Sequence, residues 1–301
     1  MPGRIRRLGL LPLLLIAGLV FAAAAFAAIN TNVLGAGDKF DRLVAKVERF
    51  IIGPPPDRPT VETVTVTPRP TLAPTPSPTP LPPGATPGPT VAPPVRTAMD
   101  VSILEDPKAV FAHEIRKDWC APAGVQMTLA ALGLADTSEG FQRTLVGRVH
   151  EWESKRDSRN GEWGPSAMAE ALAAYGAPGY EVRAYDSRAD ALFDAAVALE
   201  STHSPVILLA WRGAHTWVMN GYRADADPAL FPDAKISGAY ILDPWYPWNS
   251  SIWGQSDPPG TFQDQAEMKR NFLEWKRPEG TYPDRDGKFI VVMPTLPAPT
   301  P

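Results

Sequence analysis

Between Gly53 and Arg96 the chain carries 16 prolines, half of them from Pro68 to Pro83, interleaved with threonine and nearly devoid of large apolar side chains. Proline locks φ and removes a backbone donor, so such a stretch is expected to be a disordered, polyproline-II-rich linker, semi-rigid at ~3.1 Å per residue. It cuts the chain into pieces that are read separately.

The first piece points to a membrane. Arg4, Arg6 and Arg7 precede an uncharged apolar run from Leu8 to Ile29. At 22 residues the run exceeds the ~7–15 of a signal-peptide apolar region and matches the ~20 needed to span a bilayer. Residues 1–30 are therefore expected to be an uncleaved signal anchor, with cleavage near Ala25-Phe26-Ala27 to a secreted form as the alternative. Basic residues stay on the cytoplasmic side, which puts the rest outside the cytoplasm. In residues 31–52, Phe40, Leu43, Val44, Val47 and Ile51 are spaced for a short amphipathic juxtamembrane helix.

After the linker at 53–96, residues 97–294 remain for one globular domain, and 295–301 form a second proline-rich tail. A net charge of −4 with scattered basic residues offers no face for nucleic acid. Within the domain, helices are expected over Pro122–Leu132, Ser138–Lys155, Ser166–Tyr175 and Arg188–Glu200. Strands follow over Pro205–Trp211, His215–Tyr222, Gly238–Asp243 and Phe289–Met293. Helices first and a meander of strands later indicate an α+β domain with a C-terminal antiparallel sheet.

Cys120 is the only cysteine, so no disulfide can form within one molecule. An unpaired cysteine in an exported protein is a buried inert residue, an intermolecular bridge or a reactive thiol. Its place at a helix start favours the thiol, because the amides and dipole there stabilise a thiolate. Of four histidines, His215 alone begins an apolar strand, where an ionisable ring needs a partner. Asp243, an acid closing the strand Ala239-Tyr240-Ile241-Leu242, is placed to be that partner. Trp245, Tyr246, Trp248 and Trp253 follow it closely, either walling a groove for peptide or sugar rings or capping the core. A single cysteine, and no second histidine at zinc spacing after His113-Glu114, leave no metal site expected. No Gly-x-Ser-x-Gly elbow or phosphate loop is present.

Cys120 at a helix opening, His215 in Gly213-Ala214-His215-Thr216-Trp217-Val218-Met219-Asn220-Gly221-Tyr222 and Asp243 in Ile241-Leu242-Asp243-Pro244 together resemble the bacteriocin-processing, double-glycine branch of the papain-like cysteine peptidases. The likeness runs from about Val110 to Tyr246 and includes Gly164-Pro165-Ser166 with Ala171, Leu172, Tyr175 and Gly176. It implies a papain-like α+β fold, peptide-bond cleavage without cofactor, Cys120 as nucleophile, His215 as general base and acid, and Asp243 orienting the imidazole. It also implies a peptide or protein substrate; a cell-wall glycopeptide and a binding module that does not cut are the alternatives. Three departures stand out. The branch has glutamine six residues before the cysteine, where this chain has Glu114, so an oxyanion hole needs Glu114 protonated or another donor, such as the adjacent His113. Ala121 replaces a usual glycine, and Arg223–Ser237 reads as a polar insertion before Asp243.

Overall fold

The computed structural model describes residues 10–30, 43, 47, 50–51, 53–69, 94–158, 163–277 and 279–298, the side chains of 10–17 and 29–30 excepted. Two units separate, Met1–Pro54 and Pro55–Pro301. In the first, α1 (Leu10–Asn30) is a 21-residue helix. Among the described residues no helix is long and apolar enough to cross a membrane; in α1 those with described side chains run only from Gly18 to Ala28. Of the expected juxtamembrane helix, Leu43, Val47, Phe50 and Ile51 are helical, and its remaining positions lie outside the described residues.

The second unit is organised by a sheet with both faces covered. Its strands are β1 (Thr63–Val66), β2 (Met99–Ser102), β3 (Tyr180–Tyr185), β4 (Val206–Ala210), β5 (His215–Ala224), β6 (Ile236–Leu242), β9 (Thr261–Asp264) and β10 (Phe289–Pro294), with a separate small hairpin β7 (Asn249–Ser250) and β8 (Gly254–Gln255). The order is β1-β3-β10-β4-β5-β6-β9, and β2 pairs with the far end of β5. Strand β4 shows why its sequence is uniformly apolar. Val206, Leu208 and Ala210 enter one core cluster, while Ile207 and Leu209 enter the other. A strand buried on both faces gains nothing from alternation.

Helix α5 (Arg188–Thr202) lies in the first cluster, through Leu192, Ala195 and Leu199. Helices α2 (Cys120–Ala131) and α4 (Pro165–Ala174) lie in the second, through Val125, Leu129, Met168 and Leu172. The chain is thus α+β, as expected, but the sheet is mixed rather than antiparallel: β1 runs parallel to β3. Helix α3 (Glu139–Gly147) stops short of the expected Lys155; α6 (Gln265–Asn271) follows β9. Helix α2 ends as its glycine foretells. Gly133 takes φ +72, with Gly133 N donating to Ala130 O at 3.0 Å and Leu134 N to Leu129 O at 2.9 Å, which satisfies the last carbonyls.

Three expected boundaries move. Pro55–Arg69 is not free linker. Thr63–Val66 adds to the sheet, Val61 N donates to Ser166 Oγ at 2.7 Å, Lys155 N to Pro56 O at 3.0 Å, and Arg69 pairs with Asp194 at 3.0 Å. Residues 70–93 of the expected linker lie outside the described residues. The tail is held through Ala298, whose N–H donates to Thr202 O at 2.8 Å. The polar insertion is also shorter than expected, because β5 and β6 extend to Ala224 and Ile236.

Helix α2 meets β5 at Gly124, where an added Cβ would lie 2.4 Å from Thr216 Cγ2. Thr216 is β-branched, stiff at χ1 and fully packed, so it cannot swing aside. Gly124→Ala is expected to cost about 1–3 kcal/mol by overpacking, read as a lower thermal unfolding midpoint.

Candidate active site

The first turn of α2 delivers Cys120 to the start of β5. Its N-cap, Trp119, makes no side-chain cap, so the first amides are left to act on what lies in front of them. Pro122 contributes no N–H and is tolerated there. The half-buried Cys120 Sγ lies 3.9 Å from Ala214 O, a thiol-to-carbonyl contact. Cys120, His215 and Glu114 each offer an atom, sulfur, ring nitrogen and carboxylate oxygen, that lies within 4.8 Å of the other two.

His215 is oriented from two sides. Its Nε2 sits 2.7 Å from Asp243 Oδ1, so Nδ1 is the ring nitrogen that Asp243 does not engage. The pairing Val218↔Leu242 places Asp243, one residue beyond β6, diagonally across from His215 on the antiparallel ladder, a position within side-chain reach. The imidazole also stacks on the Trp211 indole, with centroids 3.9 Å apart and planes 18° from parallel. Trp211 and Arg212 hold φ of +50 and +62, a left-handed conformation that costs bulky residues about 1–3 kcal/mol each. The turn between β4 and β5 carries that strain where it sets both the indole beneath His215 and the Ala214 carbonyl beside the sulfur. Trp211 is fixed by its Nε1–H, donated to Asn271 Oδ1 at 3.0 Å.

Asp243 is almost fully buried. Burial pushes its carboxyl up, yet the His215 ring, the Ser256 hydroxyl and the Trp245 amide hold it net below the usual carboxylate range. Ser256 Oγ donates to Oδ2 at 2.7 Å and Trp245 N to Oδ1 at 2.9 Å. The anion is therefore available to orient His215.

Glu114 is fully buried, and among the described residues neither carboxyl oxygen has a hydrogen-bond partner. Its backbone is pinned on three counts: Glu114 N donates to Pro244 O at 3.1 Å, Ile115 N donates to Gln142 Oε1 at 2.9 Å, and Gln142 Nε2 donates to His113 O at 3.1 Å. Desolvation, and then the charges of Asp243 and Asp118, push the Glu114 carboxyl up to about 9. Burial likewise pushes the Cys120 thiol up, with Glu114 adding to the effect.

His113 does not supply an N–H to the site from Nδ1. That nitrogen faces two carbonyl oxygens, Tyr246 at 2.8 Å and Pro244 at 3.2 Å, and two acceptors require the proton there. Of the aromatic residues after Asp243, Trp245 and Trp253 pack on the core and on Trp211, buttressing the indole beneath the histidine. Trp248 stands edge-on to His113 at 4.3 Å.

No metal site is expected from the sequence, yet Glu114, Cys120 and His215 are the described residues that could hold an ion. A cation there would have to displace protons from both Glu114 and Cys120. Ser256, Trp211 and Gln142 are the positioning residues that sequence reasoning missed; only their spatial partners, far along the chain, give them a role. No family model and no curated protein matches this chain.

Proposed function

We propose that the Pro55–Pro301 unit is a thiol hydrolase of papain-like type that cleaves peptide bonds outside the cytoplasm. One observation carries the reading: a half-buried sulfur at an uncapped helix N-terminus lies within 4.8 Å of a ring nitrogen of His215, whose other face is held by Asp243 at 2.7 Å. Nucleophile, base and orienting acid in that order are what thiol acyl transfer requires. His215 Nδ1 takes the Cys120 proton as sulfur attacks the carbonyl carbon, then gives it to the leaving amine; water, deprotonated by the same ring, releases the acid. The uncharged run in α1 with Arg4, Arg6 and Arg7 before it supports a signal anchor and an extracytoplasmic domain, with no cofactor and no nucleic acid in the account.

The upward push on the Cys120 thiol favours a second reading, a module of the same fold that binds peptide or wall glycopeptide and does not cut. Full-length protein in detergent, incubated with a mixed-sequence peptide library, separates the two. New amino termini are expected with wild type, and Cys120→Ser is expected to lower their rate by at least about 10³-fold. A folded wild type that releases none, or a Cys120→Ser variant that matches it, would sink the hydrolase.

A further inference from the structure

We propose that Glu114 acts as a neutral carboxylic acid whose O–H donates a hydrogen bond to the oxygen of the tetrahedral intermediate formed at Cys120. This rests on the hydrolase reading and assigns the group that completes its oxyanion hole. Three observations converge on the assignment. Both Glu114 oxygens are buried with no hydrogen-bond partner among the described residues, and an unpaired buried polar group is costly unless something uses it. A carboxyl oxygen lies within 4.8 Å of both the sulfur and a ring nitrogen of His215, close enough to reach an oxygen on a carbon bonded to that sulfur. The backbone on both sides is fastened by Gln142 and Pro244, so the donor is held in place before the reaction, as electrostatic stabilisation requires.

The charge environment selects the protonated form. Desolvation acts first, and the charges of Asp243, beyond the end of β6, and Asp118, in the turn before α2, act in the same direction. Arg116 is drawn instead to Asp118, at 3.3 Å. His215 is committed to Asp243 through Nε2, and Cys120 carries a thiol proton. A second carboxylate here would repel an oxyanion, whereas an O–H donates to it. In the addition step the thiol proton passes to His215 Nδ1, the C–S bond forms, and the carbonyl π pair moves to oxygen, which accepts from Glu114. When that pair returns, the C–N bond breaks and the ring proton goes to nitrogen. Glu114 keeps its own proton throughout.

The test uses the full chain and the aldehyde acetyl-leucyl-leucyl-norleucinal. The aldehyde adds the Cys120 sulfur to its carbonyl carbon and places an oxygen in the hole without needing turnover. Glu114→Ala is expected to weaken this adduct about 10²-fold or more, and to alter iodoacetamide labelling of Cys120, which needs no oxyanion donor, far less. Glu114→Gln, isosteric and also a donor, is expected to restore most of the loss. In wild type the adduct is expected to weaken as pH rises through about 9, and Glu114→Gln removes that limb. An infrared difference between wild type and Glu114→Gln at pH 7 should show a protonated carboxyl C=O band. A carboxylate band instead, equal adducts in the Ala and Gln variants, or no adduct in a wild type whose thiol still labels, overturns the assignment. Adduct formation by a protein that cleaves no peptide would overturn the hydrolase and leave the donor standing.

Discussion

Replacing Asp157 with alanine is expected to cost the second unit about 3–5 kcal/mol, the range for removing one partner of a buried ion pair. Asp157 and Arg285 are both buried, and their charged atoms lie 2.8 Å apart. The same carboxylate accepts from Ser166 N at 3.1 Å and Ala167 N at 2.9 Å. It thereby caps α4, whose own N-cap Gly164 offers no side chain. A Cβ on Gly164 would fall 2.3 Å from Asp157 Cγ, so the glycine is needed for the carboxylate to reach the helix. Arg285 in turn donates to Asp157 O at 2.7 Å and to Thr63 Oγ1 at 3.1 Å, joining β1 and α4 through one buried node. Alanine would leave the buried guanidinium without its counter-charge and two amides without their acceptor at once. For a unit of this size each kcal/mol moves the midpoint by roughly 2–4 °C, so calorimetry should register a fall of roughly 10 °C. A fall of less than about 3 °C would mean that water or a rearranged Arg285 replaces the carboxylate. Removing both charges, in Asp157→Leu with Arg285→Met, is expected to recover part of the loss.

Nothing near Asp157 in the sequence announces this node, because its cation lies 128 residues away. What the sequence shows well is local. Helix α2 follows from Pro122 and Gly133, β4 from an unbroken apolar run, and Asp243 stands out as an acid closing an apolar strand. Thr63–Val66 is invisible for the opposite reason. Its alternation of threonine and valine is a strand pattern, but it lies among prolines, and it pairs with β3 more than a hundred residues later. The site divides in the same way. Cys120, His215 and Asp243 can be chosen by residue type and position on an element, whereas Ser256 and Gln142 acquire meaning only from what they touch. The state of Glu114 is set first by burial and then by the charges of Asp243, far along the chain, and of nearby Asp118; burial is something no residue letter carries.

That state has a measurable effect on folding. In the unfolded chain Glu114 ionises near its ordinary 4.5, while in the folded protein it keeps its proton up to about 9. Between those values the native state binds one more proton than the unfolded state, so stability falls as pH rises, by about 1.4 kcal/mol per unit for this group. At pH 7, about 2.5 units above the unfolded value, Glu114 costs the fold roughly 3 kcal/mol relative to a neutral side chain of the same shape. Glu114→Gln is therefore expected to stabilise the protein, with an advantage near zero at pH 4.5, roughly 3 kcal/mol at pH 7, and larger still up to pH 9. Asp243 works in the other direction, because its depressed carboxyl contributes stability above its unfolded value that is lost only as pH falls through the folded one. Urea unfolding of both proteins at pH 5, 7 and 8.5 isolates the Glu114 effect, since Asp243 is common to them and ionised throughout. Curves that stay parallel would mean that Glu114 is ionised or hydrated in the folded state. A widening gap would mean that the chain retains a destabilising acid beside its thiol, which is the expected cost of a group kept for chemistry rather than for packing.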